Sequence, residues 1–100
     1  MDFTQERLKR TALLLNKEQM ERLQDAHVLL FGLGGVGSYA PEALARLGVG
    51  RLTVVDNDTV APSNLNRQLP ALESTVGQLK TDVVVARLRD AAPGMKITAK

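Results

Sequence analysis

Apolar residues along this chain fall into two patterns whose alternation sets out a fold. In Val28-Leu29-Leu30-Phe31 they are contiguous, with no polar residue between them, which predicts a short strand buried on both faces. Arg51-Leu52-Thr53-Val54-Val55-Asp56 predicts a second strand, rich in β-branched residues, and Met95-Lys96-Ile97-Thr98-Ala99 a third. Between the strands, apolar residues recur at helical spacing: Val36, Ala40, Ala43, Leu44 and Leu47, then Leu79, Val83, Val84, Leu88 and Ala91. Gly48-Val49-Gly50 stops the first helix. Ser74-Thr75 predicts a cap for the second, from about Val76 to Ala92, with Pro93-Gly94 ending it. Pro41 lacks an N–H and crowds the carbonyl of Gly37, so a kink or a loosened first turn is expected there. Ahead of all this, Leu8, Leu13, Leu14, Leu15, Met20 and Leu23 punctuate a charged stretch over residues 2–25, predicting two short helices broken near Leu15-Asn16.

The order strand, helix, strand, helix, strand places the strands 3-2-1 in one parallel sheet if both crossovers are right-handed. The expected fold class is therefore α/β: a Rossmann-like βαβαβ nucleotide-binding half preceded by short N-terminal helices. The expected division is an N-terminal helical segment, residues 1–26, and a nucleotide-binding domain, residues 27–100, truncated in or after its third strand. The first strand then lies at an open edge. An exposed apolar edge is an aggregation hazard, so the sequence reads as a piece of a longer protein in which another strand covers it.

Composition narrows the chemistry. One hundred residues make about one small domain. Tryptophan is absent and Phe3, Phe31 and Tyr39 are the aromatic residues, so the core must be aliphatic. There is no cysteine, which excludes disulfides, thiolate metal sites and a cysteine nucleophile within these residues. The net charge of +2 is too balanced to argue for a nucleic-acid footprint by itself. No apolar run approaches the roughly 20 residues needed to span a bilayer. The N-terminus lacks a charged-then-apolar signal pattern, so a cytoplasmic protein is expected.

The candidate chemistry sits at the strand ends. The first strand runs directly into Gly32-Leu33-Gly34-Gly35-Val36-Gly37 and a helix follows, so the unpaired N–H groups of that helix start could face a phosphate. A glycine turn that only packs helix on strand is the plainer alternative. Asp56 follows Gly37 by 19 residues and ends the second strand, where nucleotide-binding folds place the carboxylate that accepts ribose hydroxyls. The alternative is an aspartate that merely initiates the turn Asp56-Asn57-Asp58. Residues 57–75 form a long polar connection, and loops of that length in a small domain are usually functional or disordered. His27, the sole histidine, reads as a solvated residue at a strand mouth rather than a catalyst.

Three features stand together: Gly32-Leu33-Gly34-Gly35-Val36-Gly37, then Asp56-Asn57-Asp58, then Ser63-Asn64-Leu65-Asn66-Arg67-Gln68 with Val76-Gly77-Gln78-Leu79-Lys80. Together they resemble the ThiF/MoeB-type superfamily of ATP-dependent adenylating enzymes, which includes the ubiquitin-activating enzymes. The resemblance covers roughly residues 8–98. The Ser63–Gln68 run is far more specific than the glycines. Arg10-Thr11-Ala12-Leu13-Leu14-Leu15 and the stretch from Gly37 to Gly48 look most like the tRNA threonylcarbamoyladenosine dehydratase branch, whose members spend ATP to cyclise the threonylcarbamoyl group on a tRNA adenosine.

The resemblance implies ATP and Mg²⁺ as cofactors, tRNA as substrate and a homodimer. Gly32, Gly34, Gly35 and Gly37 would line the phosphates, Asp56 would hold the ribose, and Asp58 would help order the metal-triphosphate region. Asn64, Arg67 and Gln68 would contact the phosphates and Lys80 would reach them from the next helix, with Arg67 and Lys80 as the catalytic pair. Arg10 would cross to a partner's ATP. No residue of this chain is assigned as a metal ligand; the resemblance implies a magnesium-ligand aspartate after a fourth strand, beyond Lys100, where the substrate-binding half would also lie.

The chemistry agrees with those residue types. A carboxylate attacking the α-phosphorus of ATP needs no general base; it needs neutralised charge and a stabilised pyrophosphate leaving group. A forked Arg, a point-charge Lys and a magnesium ion suit that task. The plainer alternatives are a solvated Lys80 and an Arg67 that pairs with Asp56 or Asp58. At the level of function three rivals stand: adenylation of a ubiquitin-like or sulfur-carrier C-terminus, an NAD-binding domain of an oxidoreductase, and a non-enzymatic scaffold. The NAD reading explains the glycines and Asp56 but leaves the Ser63–Gln68 run and Lys80 without a task.

Overall fold

A computed structural model describes residues 3–100. Two short helices open the chain, α1 (Thr4–Leu8) and α2 (Lys17–Asp25), with a 3₁₀ turn at Thr11–Leu13 between them. The first helix ends earlier than expected, at Leu8, while α2 starts just after Leu15-Asn16 because Asn16 caps it. Its Oδ1 accepts the Gln19 N–H at 2.8 Å, and Gln19 Oε1 accepts the Asn16 N–H at 2.9 Å. The body follows as β1 (His27–Phe31), α3 (Ala40–Leu47), β2 (Arg51–Val55), α4 (Lys80–Ala91) and β3 (Lys96–Ala99). The three strands form one parallel sheet with β2 in the middle, His27 aligned with Arg51 and Arg51 with Lys96. This is the expected strand order.

The core lies on one face of that sheet. Leu52 and Val54 of β2 and Ile97 of β3 pack with Ala45 of α3 and with Val84, Val85 and Leu88 of α4. Both helices therefore cover the same face, and β1 is not buried on both sides. Val28 and Leu30 turn toward the helices and are half-buried, whereas Leu29 is 54% exposed and Phe31 70% exposed on the opposite face. An uninterrupted apolar run reports that both faces suit burial; it does not supply the second layer. The open first-strand edge, in contrast, is present as expected.

Two helix starts differ from expectation. The segment after the glycines splits into a 3₁₀ turn, Gly35–Ser38, and then α3, so Pro41 falls in the first turn of α3. Its missing N–H costs nothing there, since first-turn donors have no intrahelical acceptor. The second helix begins at Lys80, not Val76, and Ser74-Thr75 does not cap it. Gly77 takes a φ of +92°, incompatible with a helix, and Thr59 bridges Leu79 in antiparallel fashion. Val60 donates to the Gln78 carbonyl and receives the Gly77 N–H, both at 2.8 Å. Thr75 serves the loop instead, donating to Pro70 O at 2.7 Å and accepting from Leu72 N–H at 2.9 Å. Leu79 is accordingly exposed and outside the helix, while Val85 joins the buried side.

Glu42 ties the two core helices together. Its carboxylate accepts from Arg46 Nε at 2.8 Å along α3 and from Arg87 Nε at 2.8 Å across to α4. The Arg87 hydrogen bond, assisted by Arg46 and opposed by burial, holds the Glu42 carboxyl below its ordinary value. A depressed folded-state value means the stabilisation is present above the ordinary value of 4.5 and is lost as pH falls through the lowered one. Both arginines are well exposed, so Glu42→Gln is expected to cost about 1 kcal/mol at neutral pH. Urea unfolding of parent and variant should show that gap closing on acidification below 4.5.

Candidate nucleotide site at the strand ends

The glycine loop is held in shape by Asp56. Gly32 N–H extends the sheet by donating to Val55 O at 2.9 Å. Leu33, fully buried, pins the loop to the core, and its N–H donates to Asp56 Oδ2 at 2.8 Å. Asp56 Oδ1 accepts the Asp58 N–H at 2.7 Å. The turn-forming reading of Asp56 holds, and each of its oxygens is engaged once and keeps a second lone pair. Gly35, with a φ of +57°, reverses the chain into the 3₁₀ turn, where the buried Ser38 hydroxyl donates to Gly35 O at 2.6 Å. Gly37 has the strictest requirement. A methyl group there would collide with the Gly32 carbonyl oxygen, so the helix entry can pass this close to the strand end only with no side chain.

The long polar connection folds over this loop. A 3₁₀ turn at Pro62–Asn64 begins it, with buried Asn64 accepting the Ala61 N–H at 2.8 Å through Oδ1. The Asn64 carbonyl receives the N–H groups of Arg67 and Gln68 at 3.2 and 3.0 Å. Gln68 is buried and its Oε1 has no partner. Lys80, the first residue of α4, is only 5% exposed, and its N–H donates to Asp58 O at 3.0 Å. A methyl built on Gly34 would lie 3.3 Å from Gln68 Nε2 and 3.7 Å from Lys80 Nζ. Gly34, Gln68 and Lys80 therefore share one cradle, from three separate segments, beside the Asp56–Asp58 turn.

Electrostatics say what the cradle lacks. Among the described residues the ion pairs join Arg22 with Glu18 and Arg46 and Arg87 with Glu42; none includes Lys80. Burial of the Lys80 chain holds its ammonium against Gly34 with no carboxylate paired to it, a place where an anion would be favoured. The Lys80 chain is largely buried, so the solvated-lysine alternative fails for its stem. Nor does Arg67 pair with Asp56 or Asp58: it is exposed, and its Nη1 donates to Ser63 O at 3.1 Å and to Asn66 Oδ1 at 2.8 Å, folding back along its own turn.

The remaining sequence candidates lie elsewhere or do other work. Arg10 is exposed on the N-terminal segment. Its neighbours Lys9 and Ala12 border an apolar groove of about 770 Å³, walled by Leu8, Leu15, Met20 and Val49 at the opposite end of the strands. His27 is exposed at the start of β1 and shares a 2.8 Å hydrogen bond with Thr53 Oγ1, away from the glycine loop. One contact at the site had no counterpart in the sequence reading. Tyr39 Oη donates to the Arg67 carbonyl at 3.1 Å. The two residues are 28 apart, and only its being the sole tyrosine marked it.

A parallel βαβαβ sheet, a glycine loop pinned by a strand-end carboxylate, and a largely buried lysine against that loop define a protein of the Rossmann-like class. Comparison with known proteins makes the class specific: residues 8–100 match the ThiF family, and the chain belongs to that family. It is 51% identical over 90% of its length to the tRNA threonylcarbamoyladenosine dehydratase of Bacillus subtilis. It is 47% identical over 81% of its length to the molybdopterin-synthase adenylyltransferase of Salmonella typhimurium. A crystal structure of the Escherichia coli tRNA N6-threonylcarbamoyladenosine dehydratase in complex with ATP superposes over the whole chain with a TM-score of 0.95 and 40% identity. The chain spans 35% and 32% of the two curated relatives and 41% of the solved structure.

Proposed function

We propose that this chain is the ATP-binding portion of an adenylating enzyme that activates a carboxylate as an acyl-adenylate, and that the carboxylate belongs to N6-threonylcarbamoyladenosine in tRNA. The observation that carries the reading is Lys80: a largely buried side chain whose ammonium, outside the ion pairs of the described residues, is set against Gly34 and Gln68 at the strand ends. That arrangement suits a triphosphate. A carboxylate oxygen bonds to the α-phosphorus while the bond to the bridging oxygen of pyrophosphate breaks; ring closure on the activated carbonyl then expels AMP. Lys80 and Arg67 stabilise the charge that gathers on the departing pyrophosphate. Asp56 accepts ribose hydroxyls with the lone pairs its backbone contacts leave open.

Magnesium fits as a companion of the triphosphate. Asp58 would lie alongside the ion; among the described residues no three His, Cys, Asp or Glu side chains cluster to hold a metal. Residues 27–100 would form the nucleotide-binding unit and residues 1–26 a helical segment ahead of it. The enzyme would be a cytoplasmic homodimer, with Arg10 serving the partner's ATP. No helix is long and apolar enough to cross a membrane among the described residues.

A second reading rests on the similarity to molybdopterin-synthase adenylyltransferase: the acceptor carboxylate is the C-terminus of a sulfur-carrier protein. It uses the same phosphate cradle. An NAD site, by contrast, gives Lys80, Gln68 and Arg67 nothing to do. Side-by-side calorimetric titration separates the nucleotides. ATP with magnesium should bind and NAD should not; saturable NAD binding with no ATP binding would replace the adenylation reading.

A further inference from the structure

The stretch from Ser63 to Pro70 meets the start of α3 at two points. At its far end, Leu69 and Pro70 share a narrow crevice with Ser38 and Pro41, an apolar seam. At Arg67 the junction is polar. The Tyr39 hydroxyl donates to the Arg67 carbonyl, and among the described residues this is the one hydrogen bond that joins the loop to the entry of α3. The other bonds of the Arg67 turn are internal: its N–H goes to Asn64 O, and its guanidinium to Ser63 O and Asn66 Oδ1. Those bonds fix the shape of the turn but not its place over the glycine loop. Tyr39 is 54% exposed, so burial of the ring does not explain a tyrosine at this junction. It is placed where the chain leaves the 3₁₀ turn and enters α3, two residues before the buried Pro41, on backbone the glycine loop holds.

We infer that Tyr39 is a positioning residue for Arg67: its hydroxyl registers the Arg67 turn against the glycine loop, so that the guanidinium meets the triphosphate at a fixed height. The inference deepens the proposed adenylation and rests on it. A misplacement of about 1 Å in a charge-stabilising group can cost up to about 10²-fold in rate, so a tether at the backbone of that residue matters more than its own modest hydrogen-bond energy. Because Arg67 acts on charge that develops in the transition state, loosening its turn lowers kcat and leaves ATP binding nearly unchanged.

The test uses Tyr39→Phe in the full-length gene product, which keeps the ring and removes the hydroxyl. Hydrogen–deuterium exchange of the segment 63–71 should accelerate. The kcat for AMP release should fall by about tenfold with the KM for ATP held within roughly twofold. In an Arg67→Ala background, Tyr39→Phe should cause no further loss, because the tether then has nothing to aim. Unchanged exchange overturns the tether whatever the activity. Faster exchange with unchanged kcat, or an equal loss in the Arg67→Ala background, overturns its role through Arg67. A parent protein that exchanges as expected but releases no AMP would instead sink the adenylation reading, and the exchange result would still decide whether the hydroxyl anchors the loop.

Discussion

Lys80→Ala lowers ATP-dependent AMP formation by about 10²-fold or more in the full-length gene product, and Arg67→Ala acts in the same way. The two differ in how the fold responds. The Arg67 side chain is exposed and bonded only to its own turn, so its removal should leave thermal stability unchanged. Lys80 is buried, and alanine would leave a void beside Gly34; Lys80→Met keeps the aliphatic volume and serves as the cleaner probe. Loss of turnover in Lys80→Met with an unchanged unfolding midpoint isolates the charge. Asp56→Ala should behave differently, weakening ATP affinity because ribose contacts are made equally in ground and transition states. It should also destabilise the loop, by about 1–3 kcal/mol, since the buried Leu33 would lose the acceptor of its N–H. Steady-state kinetics and ATP titration on the four variants check this. Intact turnover in both Lys80→Met and Arg67→Ala would remove the charge-neutralisation mechanism.

Gly37→Ala should be the most damaging single methyl in the glycine loop. The added carbon meets the Gly32 carbonyl oxygen, which is backbone and held in place because Gly32 N–H is paired to Val55. Nothing nearby is a flexible side chain that could yield. Either α3 moves off the strand end or the glycine loop distorts, and overpacking against rigid backbone costs about 3 kcal/mol or more. The expected outcome is a protein that is insoluble or unfolds at markedly lower urea, with no measurable ATP binding. Gly34→Ala is the informative contrast, because its methyl group would point at Gln68 and Lys80 side chains rather than at backbone. It should fold and lose ATP affinity. If Gly37→Ala unfolds like the parent and binds ATP, the close approach of helix to strand is not what the glycine is for.

Much of this was legible in the sequence, for identifiable reasons. Strand order and direction follow from alternating patterns and crossover geometry, and Asn16 announces the α2 start with a capping box that depends on residues three apart. Asp56 is legible because the distance from the glycines to a strand end is a property of the fold. What escaped depends on contacts distant in sequence. The spacing of Val76, Leu79 and Val83 suits a helix, yet Gly77 in the left-handed region and the Thr59–Leu79 bridge claim that segment first. An unbroken apolar run in β1 does not reveal that both helices pack on one face. The orientation of Arg67, folded along its own turn and tethered by a tyrosine 28 residues away, has no local signature at all.

The central proposal is that the Lys80 cradle holds a triphosphate for carboxylate activation. The most direct test incubates the full-length gene product with ATP, magnesium and tRNA that carries N6-threonylcarbamoyladenosine, and quantifies AMP and pyrophosphate. One AMP and one pyrophosphate per cyclised nucleoside, none with tRNA lacking the threonylcarbamoyl group, is the predicted result. Release of ADP and phosphate in place of AMP, or cyclisation that proceeds without ATP, would contradict it.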